Sequence, residues 1–447
     1  MQAIGLRAPA PTASRQGGRF RTQVSALAGL PRLLLVGGLL VHLLLFLRVA
    51  VVFAPDLYLG PSGADRVFYF AYVRSLVFDG DLDFTNEMAL WPPSSGLQFQ
   101  NGQPINKYPV GAPLVALPAY FVTHRVLRAV TPQQTALTGY ERPYVYAYAL
   151  SHFVVGMLGL YLLFLALLRY VSPLTSAIAV VGASLGTGLL RYTTTDLIMS
   201  HAAASFAASW CLFEAIRIRE DPVPLTRWLM LGAASALVPM VRLQNGIFLL
   251  VPAVAALEAL GAMWHEYVRT RVVYLVAALG TALLAFMPQL LAWRVMFGAW
   301  LANGYSNEMS FTWLAPRVRD VVLLLAQWVP LLAIGYAGTV WLAFRRRDLL
   351  LAAAAVCGLG TIYVTASWFA VDIVTRTAFD SLAPIAVGLA VVAGVLRRVY
   401  PGAEWAALVL PALWNVPFLM FHDSSVGFAG LVPEWQRGMA LLFGVDR

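Results

Sequence analysis

Carboxylates and cations gather at only a few places in this chain, the first being residues 62–111, SGADRVFYFAYVRSLVFDGDLDFTNEMALWPPSSGLQFQNGQPINKYPVG. Asp65 opens the stretch. On a helix starting near Ser62, Asp65, Tyr69 and Tyr72 fall at i, i+4 and i+7 and share one face. A carboxylate among aromatic rings suits a general base whose basicity is set by partial burial. The same residues also read as a capping box with a shortened acid, in which Asp65 only serves backbone amides. Lys107 closes the stretch in NKYPVG and is the only lysine among 31 Lys and Arg residues. It is either a point charge for a phosphate or a lysine reaching out to lipid head groups.

Asp79, Asp81 and Asp83 form DGDLD, a pattern open to a divalent cation. An EF-hand loop needs glycine at its sixth position and an acid at its twelfth, which are Phe84 and Leu90 here. A solvated turn around Gly80 is the favoured reading, and no motif supports a metal. Asp196 and His201 lie in RYTTTDLIMSHA beside Arg191, placed to orient a substrate or to start a helix. Arg376, in VDIVTRTAFDSLAP, can pair with Asp372, Asp380 or a phosphate. Glu308 and Trp313 supply the carboxylate and aromatic mixture of sugar sites. His42, His152, Cys211 and Cys357 lie in apolar runs and read as packed core groups. GxSxG, HExxH and Walker-type phosphate loops are absent from the sequence.

The elements that must position these residues are set by composition. Of 447 residues 60% are hydrophobic and 12% charged, about half the roughly 25% charge of a soluble chain, and mean hydropathy is +0.72. Apolar runs of about 20 residues, the length of a membrane-crossing helix, recur from residue 33 to 421. The fold class is therefore an all-α polytopic membrane protein. The net charge of +9 serves membrane orientation and is no nucleic-acid signature. Residues 1–32, with Arg7, Arg15, Arg19, Arg21 and Arg32, read as a basic cytoplasmic tail. The first apolar run reads as an uncleaved anchor.

Spans are expected at 33–53, 143–168, 174–190, 200–216, 226–241, 246–263, 271–296, 319–344, 349–370, 379–396 and 404–421. Residues 64–78 have the spacing of a helix lying in the interface plane. Residues 109–127 are apolar but carry Pro109, Pro113 and Pro118. If they cross, every arginine cluster faces outward, against the positive-inside bias. If they stay at the interface, Arg169, Arg217, Arg219, Arg227, Arg269, Arg271, Arg345–Arg347, Arg397 and Arg398 all face inward. The second arrangement gives about eleven spans, a cytoplasmic amino terminus, a large extracytoplasmic loop over 54–142 and an outer segment over 422–447. It places the loop, the turn 191–201, the loop 297–319 and the turn 371–377 on one outer face, where ionisable groups can line a cleft.

With these residues in view, the chain resembles membrane glycosyltransferases of the GT-C superfamily, which include protein O-mannosyltransferases and the bacterial transferases that add aminoarabinose to lipid A. The resemblance runs in order through ADRVFYFAYVRSL, DGDLDFTNE, NKYPVGAPL, ERPYVYA, TTTDLIMSHA and TRTAFDSLAP. It departs from the mannosyltransferase pattern, in which an acidic pair opens the loop, because Arg66 follows Asp65. It implies transfer of a sugar from a polyprenyl-phosphate donor to a lipid, glycan or protein acceptor outside a bacterial inner membrane. It assigns Asp65 as base and Lys107 and Arg376 to the donor phosphate. Asp196, His201, Tyr69, Tyr72 and Glu308 are expected to bind substrate. Direct displacement of this kind inverts the anomeric centre. A flippase for a lipid-linked sugar is the main rival and needs polar groups at mid-span, which are scarce here; a non-catalytic envelope scaffold is the other.

Overall fold

Apolar runs this long can satisfy their backbone in lipid only by coiling, and each expected span carries a helix among its described residues. The computed structural model describes residues 29–52, 64–93, 97–131, 136–264, 268–305, 319, 322–323, 330–367, 382–421 and 436. The first helix, α1, is Leu30–Val52, so Arg32 stands within it and not in the preceding tail. The large loop carries α2 (Ala64–Arg74), a π-helical turn (Ser75–Asp79), α3 (Thr85–Leu90), the strands β1 (Gln98–Gln100) and β2 (Gln103–Ile105), and α4 (Gly111–Val130). The membrane-type helices follow as α5 (Arg142–Leu167), α6 (Pro173–Leu185), the single turn α7 (Leu189–Tyr192), α8 (His201–Glu220) and α9 (Leu225–Val241). A 3-10 stretch, Leu243–Leu249, leads into α10 (Leu250–Ala262), then α11 (Val268–Phe297), α12 (Pro330–Arg346), α13 (Leu349–Ala366), α14 (Leu382–Val399) and α15 (Ala406–Phe421).

Among the described residues, five helices are long and apolar enough to cross a membrane: Leu30–Arg48, Arg142–Leu167, Leu243–Ala262, Val268–Phe297 and Leu382–Val399. The run expected over 174–190 is interrupted, because α6 stops at Gly186 and the chain turns through Thr187 before α7. Helix faces meet where side chains are smallest. A Cβ on Gly388 of α14 would sit 1.6 Å from the carbonyl oxygen of Gly335 in α12, so the two backbones touch directly. His42 and His152 are fully buried, as are the free thiols of Cys211 and Cys357. Glu258 pairs with Arg219 (2.6 Å), which also bonds Asp348 (2.9 Å) and so ties α8 to α10 and to the start of α13.

The loop departs from its expected form in two respects. Helix α2 is not amphipathic at an interface: Val67 through Val73 are all buried, so it is packed on every side. The polar tips of Tyr69 and Tyr72 allow this because each hydroxyl finds a buried partner. The DGDLD acids border an exposed turn at Gly80 (φ 74°), as expected, and side-chain partners hold them around it. Asp79 pairs with Arg74, Asp81 accepts from Ser75 Oγ (2.9 Å), and Asp83 accepts from Thr85 N (3.0 Å) at the start of α3. Arg74 also bonds the buried Glu87 (2.7 Å) and the carbonyl of Thr138 (3.2 Å), clamping both ends of the loop. Finally, the all-α loop contains a β-hairpin, with Gln98 opposite Ile105 and Gln100 opposite Gln103. Asn101 and Gly102 both have positive φ (52° and 83°), the requirement of a tight hairpin turn.

Candidate active site

The segment Asn106–Tyr108–Val110 is fixed from several directions. Asn106 Nδ2 donates to Phe68 O (2.6 Å) on α2, and its Oδ1 accepts from Tyr108 N (3.2 Å). Tyr72 Oη donates to Tyr108 O (2.8 Å), and Val110 N donates to Gln289 Oε1 (2.9 Å) on α11. Gly304 lies flush on the same segment; a Cβ there would come within 2.5 Å of Lys107 O. These contacts use the backbone groups that a loop would otherwise leave unsatisfied in a buried setting.

That rigid segment presents Lys107 to aromatic rings. Its Nζ lies 5.3 Å from the Tyr108 ring centroid, 5.9 Å from Phe68 and 6.0 Å from Tyr305, within cation–π range. Lys107 is 8% exposed and so does not reach out into solvent or head groups as a snorkelling lysine would. The other end of the same tyrosine meets the first acid: Tyr108 Oη donates to Asp65 Oδ1 at 2.5 Å. Burial, with the Asp65 charge beside it, holds the Tyr108 phenol well above its ordinary range, so it remains a donor. The carboxylate and the cation that the sequence singled out are thus joined through one ring. The Tyr69 ring packs against it at 4.8 Å.

A second charged set adjoins this one. Asp196 is gripped by two arginines, Arg66 from α2 and Arg191 from α7, the latter at 2.5 Å. Asp196 therefore ties α2 to the α7–α8 turn and does not cap the following helix. Tyr69 Oη donates to Ser200 Oγ (2.8 Å), which also accepts from Arg242 Nη1 (3.2 Å) at the end of α9. Arg242 Nη1 lies 3.2 Å from Nε2 of His201, the first residue of α8. Arginine has only donors, so Nε2 accepts and the ring proton sits on Nδ1. The imidazole also packs on Tyr192, with ring centroids 3.9 Å apart.

Six of the sequence-predicted residues, Asp65, Lys107, Tyr69, Tyr72, Asp196 and His201, are thereby brought into one connected region. Arg376 and Glu308 lie outside the described residues, as does Ser62 of the capping-box reading and most of the outer segment over 422–447. Sequence reasoning missed Tyr108, Arg242, Gln289 and Tyr305. Tyr108 was readable in principle as the neighbour of Lys107. The other three needed the third dimension. Among the described residues no three His, Cys, Asp or Glu side chains gather as a metal site. The region can hold an anion beside Lys107 and present a carboxylate to a hydroxyl.

No protein-family model and no curated protein sequence matches the chain. Among solved structures it is similar to ArnT from Cupriavidus metallidurans bound to undecaprenyl phosphate, at 16% identity and a TM-score of 0.48, over 90% of this chain and 71% of that one. It is also similar to the oligosaccharyltransferase of Archaeoglobus fulgidus in the apo form, at 10% identity and a TM-score of 0.47, over 85% of this chain and 55% of that one. The chain thus spans about half the length of the latter. Another structure from that organism, AglB with an inhibitory peptide and a dolichol-phosphate, matches at 11% identity and a TM-score of 0.47, over 85% and 55%.

Proposed function

We propose that this protein is an inverting glycosyltransferase that moves a sugar from a polyprenyl-phosphate donor to an acceptor hydroxyl at the extracytoplasmic face of the membrane. The observation that carries the proposal is the Asp65–Tyr108–Lys107 arrangement: a carboxylate and a buried cation held on one tyrosine. Asp65 takes the proton of the acceptor hydroxyl as its oxygen attacks the anomeric carbon. The bond to the lipid phosphate breaks on the opposite side, and the departing phosphate meets the fixed charge of Lys107, a preorganised stabilisation. Arg376 is proposed to share that phosphate, and Glu308 to contact the sugar. Asp196 holds Arg66 and Arg191 in place beside the site. Nothing in this scheme requires a metal.

The topology belongs to the same proposal: about eleven spans with the amino terminus in the cytoplasm, residues 109–127 at the outer interface, and arginine clusters inside. A water-soluble nucleotide sugar has no access from that side, whereas a lipid-linked donor diffuses in from the bilayer. The test is to reconstitute the purified protein in vesicles with a radiolabelled polyprenyl-phosphate sugar and envelope extract. Label recovered on an acceptor is the expected result. Label that changes leaflet without changing its carrier identifies a flippase and overturns the proposal.

A further inference from the structure

Helix α1 touches α5 near its far end, where Phe46 stacks on Phe153 with ring centroids 5.3 Å apart, and it touches α6 at Gly38, where a Cβ would lie 3.0 Å from the Val181 methyls. A groove of about 780 Å³ lies between α1, α5 and α6. That volume falls in the roughly 300–1,000 Å³ range of ligand pockets. Its walls are apolar, with Leu35, Leu39, Met157, Leu158 and Val181 among them. Arg32, exposed near the start of α1, is the single charged residue of the lining; Ser184, hydrogen-bonded to His42 (3.3 Å), also lines it.

We propose that this groove is a binding site for one anionic phospholipid, with an acyl chain along its apolar walls and the phosphate on Arg32. Charge and length both favour that occupant. An exposed cation lining an otherwise apolar groove matches a molecule with one anionic end and one hydrocarbon end. From Arg32 to His42 the helix rises about 15 Å at 1.5 Å per residue, a fit for most of one acyl chain and too short for a polyprenyl tail. The cation is also at the wrong end for the donor. His42 bonds Thr193 (2.7 Å) on the side of Arg191 and Asp196, so Arg32 lies at the opposite end of α1 from the Asp65–Lys107 region. The site is therefore separate from the proposed transfer site and does not depend on it.

The test is native mass spectrometry of the purified full chain titrated with phosphatidylglycerol, phosphatidylcholine or undecaprenyl phosphate. One phosphatidylglycerol is expected to bind about fivefold more tightly than phosphatidylcholine, the effect of one arginine beside an anionic head group. Arg32→Gln should remove that preference and leave the weaker binding common to both lipids. Leu39→Trp, which fills the groove, should weaken both by about tenfold; Leu35→Phe is the alternative plug if that variant does not fold. Equal binding of the two phospholipids by the wild type overturns the proposal, as does unchanged phosphatidylglycerol binding by the variants. Tighter binding of undecaprenyl phosphate that is lost in the same variants gives the groove to that lipid and overturns it too.

Discussion

Replacing Tyr108 by phenylalanine separates the two charges that this tyrosine joins. The substitution deletes the 2.5 Å bond to Asp65 but keeps the ring, and with it the 5.3 Å contact to Lys107 and the 4.8 Å packing on Tyr69. A hydrogen bond to a charged group contributes about 1.5–3 kcal/mol. If that energy fixes the Asp65 carboxylate against the attacking hydroxyl, its loss lowers turnover by about 10- to 150-fold, at tenfold per 1.36 kcal/mol. The KM for the lipid donor stays unchanged, because the cation that meets the phosphate still has its ring. Tyr108→Leu removes both and should raise KM as well. The assay is steady-state transfer of labelled sugar from a polyprenyl-phosphate donor at varied donor concentration. Wild-type turnover in Tyr108→Phe, or a raised KM with intact turnover, would refute the reasoning, since Tyr108 would then not act through Asp65.

Other outcomes follow from the same contacts. The Glu87 carboxyl is pushed up from its ordinary 4.5 to about 7, chiefly by burial, against the opposing pull of Arg74. Folded protein therefore keeps a proton that the unfolded chain releases between about 4.5 and 7, so this group's stabilisation falls as pH rises through that window. Melting temperature measured from pH 5 to pH 8 should drop across it, and Glu87→Gln should flatten the drop. Gly388→Ala forces a methyl into the Gly335 carbonyl and should destabilise by about 1–3 kcal/mol or more, whereas Gly37→Ala, with open space around its Cβ, should not. Asp196→Ala leaves Arg66 and Arg191 without their shared carboxylate and should cost about 3 kcal/mol. Adding Arg66→Ala should cost less than the sum of the single changes in a double-mutant thermal-melt cycle.

The helices were legible because span length and apolarity are local properties, and each expected apolar run carries a helix among its described residues, although the one over 174–190 breaks at Gly186. Positions of individual acids and cations were legible too, because charged residues are sparse in such a chain. What they bind was not. Arg66 read as a departure from an acidic pair, yet it is the partner of Asp196, 130 positions away. Arg242 belongs to none of the arginine clusters of the sequence, yet it bridges Ser200 and His201. The apolar spacing of α2 points to a helix in the interface plane, but that pattern cannot reveal that Tyr69 and Tyr72 face buried hydrogen-bond partners. The hairpin had a local signal, Asn101-Gly102, hidden because its strands are only three residues each.

The central claim is that Asp65 is the base of a transfer reaction and not a structural acid. The most direct test compares label transfer from a polyprenyl-phosphate sugar by the wild type and by Asp65→Asn, with thermal melting of both. The account predicts a loss of transfer of at least about 100-fold, the scale of general-base catalysis, at an unchanged melting temperature. Full transfer by Asp65→Asn would contradict it.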